Sequence, residues 1–231
     1  MPTESPRTQR ARVGATAGEP VLRADALHNR HRIVEAAREV FAARGLDVPM
    51  VAIARRSGVG VATLYRRFPT KEALITEAFA DQLEACVSVV DDALADPDPW
   101  RGFCGVIEKV CAMHAVDRGF TAAFLSAFPD AIDFERERAR AEEGFALLAQ
   151  RAKDAGRLRA DFVQDDLMML LMANSGLVTT SDEAALAASR RFVAYLLHSF
   201  RAEHADQAGP LPPSTPLDPR HVFCPPDPDS P

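Results

Sequence analysis

The residues best suited to chemistry lie on one face of a short predicted helix between Val61 and Phe68. Leu64 and Phe68 are four residues apart and are both apolar, which predicts the inward side of that helix. Hydroxyl and guanidinium groups hold a phosphate backbone, and small side chains at the start of a helix reach base edges in a major groove. The residues on the outward face of this helix are Val61, Thr63, Tyr65, Arg66 and Arg67.

The segment 51–74, VAIARRSGVGVATLYRRFPTKEAL, contains the parts of a helix-turn-helix in the right order. A short helix ends at Gly58, where a left-handed backbone is easy, and the apolar Val59 fixes the tight turn to the core. The second helix then runs over residues 61–68 and is stopped by Pro69. We therefore predict a DNA-binding unit that presents its second helix outward.

This segment closely resembles the TetR family of bacterial regulators. The resembling stretches are RIVEAAREVFAARG, IARRSGVGVATLYRRF and PTKEAL, which lie within about residues 24 to 75. The resemblance implies a homodimer whose two-fold symmetry matches a palindromic operator in double-stranded DNA. It also implies a ligand pocket in the larger domain.

The resemblance also assigns roles to individual residues. It places Tyr65 against a phosphate and Lys71 at a helix N-terminus facing the DNA backbone, where the ammonium group and the helix dipole both favour an anion. Gly60 stands where the family often has serine, so base contacts fall mainly on small side chains that suit a thymine methyl group. The predicted DNA-binding residues are Gly60, Val61, Ala62, Thr63, Tyr65, Arg66, Arg67 and Lys71.

The distribution of charge supports this assignment although the whole chain carries a net charge of −6. Residues 1–72 contain 13 Lys and Arg against 7 Asp and Glu, a net charge of +6, and residues 73–231 contain 14 against 26, a net charge of −12. Only the N-terminal third is therefore built to meet phosphate. Arg55 and Arg56 fit either a DNA contact or a solvated helix face.

The apolar periodicity predicts an all-α fold, with no strand pattern competing. We expect a disordered basic arm at 1–22, a helix-turn-helix domain at 23–70, a helical ligand-binding and dimerisation domain at 71–207, and a Pro-rich flexible tail at 208–231 with nine prolines. The first helix is predicted to start at Asp25. Helices of the larger domain are predicted at 100–116, 119–128, 134–155, 163–179 and 182–204.

The larger domain is rich in aromatic and methionine side chains that could line an adaptable apolar cavity. We predict that a small apolar effector contacts Phe103, His114, Phe124, Met168 and Met172. The alternative for each of these residues is an ordinary bundle core, and for His114 it is a hydrogen-bonded core histidine. The acid-rich run 135–143 is interpreted as a solvated helix face.

The last two predicted helices carry more apolar surface than one helical hairpin can hide, while the run 174–176, Asn-Ser-Gly, lets backbones approach. We predict a four-helix interface between two subunits. Its apolar residues are Leu167, Leu170, Leu171, Leu177, Val178, Phe192, Leu196 and Leu197.

These patterns predict a ligand-responsive repressor without a cofactor. One alternative is a DNA-binding regulator that binds no small molecule. Another is a helical thiol enzyme with Cys104 or Cys111 as nucleophile and His114 as base, although no oxyanion-hole loop accompanies them. The four cysteines have no zinc-type spacing, and the lack of a long apolar stretch or secretory signal predicts a cytoplasmic protein with no membrane contact.

Overall fold

The fold is known from a computed structural model that describes residues 18–126, 131–177, 180–204 and 209–214, with side chains from Leu27 onward except at 118 and 132. The described helices are α1 (Gly18–Arg44), α2 (Met50–Ser57), α3 (Val61–Arg67), α4 (Lys71–Leu94), α5 (Pro99–Val116), α6 (Arg118–Leu125), α7 (Ile132–Asp154), α8 (Gln164–Ser175) and α9 (Asp182–Ser199). These residues contain no strand, only an isolated bridge between Leu158 and Arg201. The predicted all-α class is confirmed.

The helix boundaries differ from the sequence prediction mainly at the ends. Helix α1 begins at Gly18, so residues 18–22 are helical and not part of an arm. Pro20 does not prevent this, because the first N–H groups of a helix have no partner within the helix and proline lacks only that group. Helices α6, α8 and α9 end three to five residues before their predicted ends. Residues 1–17, Phe128 and Val178 lie outside the described residues.

The first three helices share a small core that also receives the start of α4. Ile33 and Phe41 of α1 meet Ile53 of α2 and Leu64 of α3, and all four are at most 1% exposed. The apolar spacing of four or eight residues on α1 produces this inward face. The arrangement leaves one side of α3 free of protein contacts.

Helices α4 to α9 form the larger domain. Helix α4 packs mainly against α7 and α5, and α9 packs mainly against α5. Gly144 allows α7 to approach α4 closely, because a Cβ atom at this position would lie 2.6 Å from Cγ1 of Val90. Within the described residues, no helix is both long and apolar enough to cross a membrane.

Helix α6 connects the two parts of the molecule. A Cβ atom at Gly119 would lie 3.0 Å from the backbone nitrogen of Ala42 and 3.1 Å from Cζ of Phe79. The absence of a side chain therefore lets α6 lie directly on α1 and α4. Because α6 contacts α1 directly, a movement of α6 would displace α1 of the DNA-binding unit.

The described part of the Pro-rich tail is attached to the domain. The backbone N–H of Leu211 donates to Oδ2 of Asp161 at 2.8 Å, and Asp161 also accepts from the guanidinium of Arg159. These two donors hold the pKa of Asp161 below its usual range. Residues 209–214 of the predicted flexible tail 208–231 are thus anchored here, and residues 215–231 lie outside the described part.

Candidate nucleic-acid interface and effector cavity

The turn between α2 and α3 depends on Gly58 and on an arginine from α1. Gly58 has φ of 66°, in the left-handed region, and a Cβ atom there would lie 2.7 Å from Nη2 of Arg32. That guanidinium donates to the carbonyl of Ser57 at 2.5 Å. The sequence predicted the glycine but not Arg32, since nothing in the local pattern links residues 25 positions apart.

Helix α3 is held from below by apolar contacts and is open above. Leu64 is fully buried and Phe68 is 2% exposed, whereas Val61 is 40% and Tyr65 46% exposed. Thr63 is half-buried, and the other predicted α3 contacts are exposed: Gly60, Ala62, Arg66 and Arg67. The structure therefore brings seven of the eight predicted DNA-binding residues onto one accessible surface, the α3 face.

The eighth, Lys71, lies at the first position of α4 and is half-buried. Its Nζ donates to the carbonyl of Leu46 at 3.1 Å, so this ammonium group holds the loop between α1 and α2. An ammonium group has three donors, and its remaining ones can still meet a phosphate. Thr70 caps the same helix end by accepting from the N–H of Ala73 at 3.1 Å.

The two arginines at the end of α2 differ from each other. Arg56 pairs with Glu39 of α1 at 2.6 Å, which gives it a role in joining α2 to α1. Arg55 is exposed on the same turn. Arg56 thus has a protein partner on the surface, Arg55 has no ion-pair partner among the described residues, and both side chains are exposed enough to reach DNA.

The predicted phosphate contact of Tyr65 can be tested by removing its hydroxyl alone. Tyr65→Phe is expected to weaken binding to a mixed-sequence DNA duplex by about ten- to hundredfold, because one hydrogen bond to a phosphate is lost in each of the two subunits of a dimer. Fluorescence anisotropy at low salt measures the change. Tyr195→Phe is the matched control, since it removes the hydroxyl of the chain's other tyrosine, which Arg191 contacts in α9 at 2.7 Å. Equal losses in the two variants would contradict the assignment.

A second feature is an apolar space of about 40 Å³ between α4, α5, α6, α7 and α8, which is the candidate effector cavity. Of the five residues predicted to contact an effector, Phe124 and Met168 line this cavity. Phe103, His114 and Met172 are not among the lining residues. The wall consists of Cys86, Val90, Val106, Val110, Phe124, Ala141, Glu142, Phe145, Gln164, Leu167, Met168 and Leu171.

Phe103 lies in the core of the domain, where it packs behind the wall residue Phe145. It is fully buried, stacks on Trp100 and Phe145 at centroid distances of 5.6 and 5.4 Å, and meets Phe162 edge-on at 5.3 Å. The sequence could not separate this position from a pocket position, because both are apolar positions on the same helix. Its role here is packing.

His114 is fully buried and packs against Phe120 and Phe124. Its Nδ1 lies 2.9 Å from Oγ1 of Thr121, and burial lowers its pKa to about 3, so the ring is neutral. This matches the alternative of a hydrogen-bonded core histidine on one side of the ring.

The acidic run of α7 is not wholly a solvated face. Glu142 is half-buried and lines the cavity together with Gln164 of α8. Burial raises the pKa of Glu142, while Arg138, 3.3 Å away, opposes that rise. Sequence reasoning missed Glu142 because a charged residue among charged neighbours gives no sign of facing inward.

The interface predicted on α8 and α9 is also corrected. Leu170, Leu171 and Leu197 are already buried within the subunit, and the side chain of Asn174 points toward α5, where its Nδ2 donates to the carbonyl of Cys111 at 2.9 Å. Asn174 therefore does not serve as a small contact between subunits. The half-buried members of the predicted set are Leu167, Leu177, Phe192 and Leu196.

The buried thiols do not support the enzyme alternative. Burial raises the pKa of Cys111 to about 12 and that of Cys104 to about 11, so both remain protonated. A nucleophilic cysteine needs a lowered pKa and a base that can accept its proton. Neutral His114 with a pKa of about 3 is a poor base, and the described residues hold no group of three or more potential metal ligands.

These observations define a helix-turn-helix DNA-binding protein with an attached helical domain. Residues 33–78 match the family described as bacterial regulatory proteins of the tetR family. An HTH-type transcriptional regulator of Staphylococcus aureus, SAB2452, is 43% identical over 54 residues, which are 23% of this chain and 29% of that protein. The N-terminal unit of this chain is therefore similar to the helix-turn-helix of tetR family regulators, and the match spans less than a third of the curated relative's length.

Solved structures agree on the fold of the larger domain. The TetR family regulator PfmR from Thermus thermophilus has a TM-score of 0.58 at 21% identity, covering 73% of this chain and 95% of PfmR. A tetR family regulatory protein from Rhodococcus RHA1 has a TM-score of 0.60 at 18% identity, covering 74% and 96%. The similarity of fold therefore extends well beyond the helix-turn-helix and includes the larger helical domain.

Proposed function

We propose that this regulator is a ligand-responsive repressor that binds a palindromic operator as a homodimer. The observation that carries the proposal is the α3 face, where a helix anchored by Leu64 exposes Tyr65 and small side chains. A major groove admits such a helix, and two copies related by two-fold symmetry would read the two halves of a palindrome.

The outer surface of α9 supports dimerisation. One side of the helix is buried against α5, and beside it runs a half-buried apolar stripe with a spacing of four residues: Ala184, Ala188, Phe192 and Leu196. Tyr195, next to the stripe, is 61% exposed. An apolar stripe flanked by an exposed aromatic side chain suits a helix-to-helix contact between identical subunits.

A continuous row of aromatic rings links the effector cavity to the DNA-binding unit. Phe124 in the cavity wall packs on Phe120 at 5.9 Å, Phe120 on Phe79 at 6.0 Å, and Phe79 on Phe41 of α1 at 6.1 Å. Closely packed interiors move as units and not by continuous deformation. A ligand that displaces Phe124 would therefore shift α6 against α1 and change the spacing between the two α3 helices.

The small size of the cavity favours one second candidate, a regulator that binds no small molecule. A volume of about 40 Å³ is far below the size of ordinary ligand pockets. A ligand that binds in this cavity must therefore open it. Binding of a small aromatic probe, tested in the next subsection, separates the two candidates.

The DNA-binding part of the proposal predicts a steep salt dependence. If each subunit neutralises about four phosphates, the logarithm of the affinity should fall against the logarithm of salt concentration with a slope of about −7. Duplexes for the titration come from genomic fragments that the purified protein selects. We also expect those fragments to contain inverted repeats and light scattering to show a dimer. A slope near zero, or selected sequences without two-fold symmetry, would overturn the proposal.

A further inference from the structure

We propose that the effector is a neutral, mostly apolar molecule with one hydroxyl group, and that this hydroxyl binds between His114 and Asn174. The inference rests on the proposed ligand response and specifies the ligand's chemistry. It starts from two buried polar atoms that lack hydrogen-bond partners among the described residues: Nε2 of His114 and Oδ1 of Asn174. Both residues are at most 1% exposed.

The neighbouring contacts make Oδ1 of Asn174 an acceptor, whereas the role of Nε2 depends on the tautomer of His114. Nδ2 of Asn174 donates to the carbonyl of Cys111, so Oδ1 is an acceptor. The hydroxyl of Thr121 lies nearer to Nδ1 of His114, at 2.9 Å, than to the carbonyls of Asp117 and His114, at 3.0 and 3.2 Å. If its proton lies on Nδ1, the neutral ring carries its own proton on Nε2, which is then a donor. A hydroxyl group can accept from one atom and donate to the other.

Both residues lie one turn beyond the cavity wall on their helices. His114 follows the wall residue Val110 by four positions on α5, and Asn174 follows Leu171 by three positions on α8. The ring of His114 also meets the wall residue Phe124 edge-on at a centroid distance of 5.3 Å. A ligand whose apolar body opened the cavity toward this end would bring its polar group to the two atoms.

The charge of the site excludes an acidic ligand. Glu142 is the only charged side chain among the described residues that line the cavity, and a carboxylate ligand would be repelled by it. Neutral His114 offers such a ligand no positive charge. A purely apolar ligand would leave the buried donor and acceptor without partners, which is costly in a dry site.

The test compares four naphthalene compounds of one shape by calorimetry at pH 7: 2-naphthol, naphthalene, 2-methoxynaphthalene and 2-naphthoate. A phenol stays neutral at this pH, a methoxy group accepts but cannot donate, and naphthoate is an anion. We expect 2-naphthol to bind about tenfold or more tightly than each of the others. Equal affinities for naphthol and naphthalene would assign the two atoms to a buried water and overturn the inference. Tighter binding of naphthoate, or no binding of any compound, would also overturn it.

Substitutions test whether the preference for naphthol over naphthalene depends on His114 and Asn174. In His114→Phe the ratio of naphthol to naphthalene affinities should fall to about one, and Asn174→Leu serves if the first variant does not fold. Ser189→Ala is the control, because its hydroxyl reaches the same Cys111 carbonyl at 3.4 Å and leaves both unpartnered atoms in place. An unchanged ratio in His114→Phe would reject the site.

Operator release is measured with the same compounds, so that the inference and the ligand response can fail separately. Preferential binding of naphthol without any release of operator DNA would keep the inference and reject the ligand response. Equal release of operator DNA by naphthol and naphthalene would keep the ligand response and reject the inference.

Discussion

Replacing Phe103 by alanine is expected to lower the free energy of unfolding by about 3 to 5 kcal/mol. Phe103 is fully buried and contacts three aromatic rings, those of Trp100, Phe145 and Phe162. The substitution removes these contacts and leaves a void that helices α5 and α7 can only partly close. Urea denaturation followed by circular dichroism measures the loss.

Leu147→Ala is the control for this experiment, because Leu147 is 54% exposed, lies on α7 outside the proposed subunit contact, and its truncation should change stability by about 0.5 kcal/mol or less. A loss below about 1 kcal/mol in Phe103→Ala, together with weaker binding of an effector probe, would return Phe103 to the role of a ligand contact. The expected result instead shows a destabilised protein whose remaining folded fraction binds the probe normally.

Introducing two glutamates on the outer surface of α9, Ala188→Glu with Tyr195→Glu, is expected to lower operator affinity by about 100-fold or more. Ala188 lies in the half-buried stripe, and the side chain of Tyr195 is beside it. In a homodimer each glutamate would face its counterpart across an apolar contact, where burying an unpaired charge is costly. Separated subunits lose the gain from binding two half-sites on one duplex, which is typically a factor of about 10² to 10⁴.

Leu147→Glu is the control for the dimer variant, because Leu147 on α7 is 54% exposed, close to the exposure of Tyr195. It adds a similar charge to an apolar surface position outside α8 and α9. Light scattering should show monomers for the α9 variant and dimers for Leu147→Glu. Dimers in both variants, with unchanged operator affinity, would place the subunit interface elsewhere.

The sequence determined the DNA-binding unit almost completely, because its signals are local. Gly58 and Pro69 mark backbone positions that few other residues favour, and Leu64 and Phe68 identify the inward side of α3 from their spacing alone. Once the inward side is fixed, the exposed residues follow. The function of Lys71 in holding the Leu46 carbonyl was not visible, since it depends on a contact 25 residues away.

In the larger domain the sequence determined that helices form and approximately where they begin. It could not determine which apolar residue lines a cavity and which fills the core, because helical periodicity marks the buried side of a helix but not its partner. Phe103 and Phe124 have the same local pattern, yet one packs among aromatic rings and the other lines the cavity. Only the tertiary structure, by setting α5 against α7 and α6 against α8, decided between them.

The tertiary structure also determined whether each polar residue is buried or exposed. Glu142 was hidden in a charged run, and Asn174 was interpreted as part of a subunit contact, although both are at least half-buried in the domain. Whether a polar side chain is paired, solvated or left without a partner depends on groups brought close by chain segments distant in sequence. That is why the sequence by itself predicted a DNA-binding helical protein, and only the packing of α5, α6 and α8 revealed the buried polar atoms of His114 and Asn174 that lack partners among the described residues.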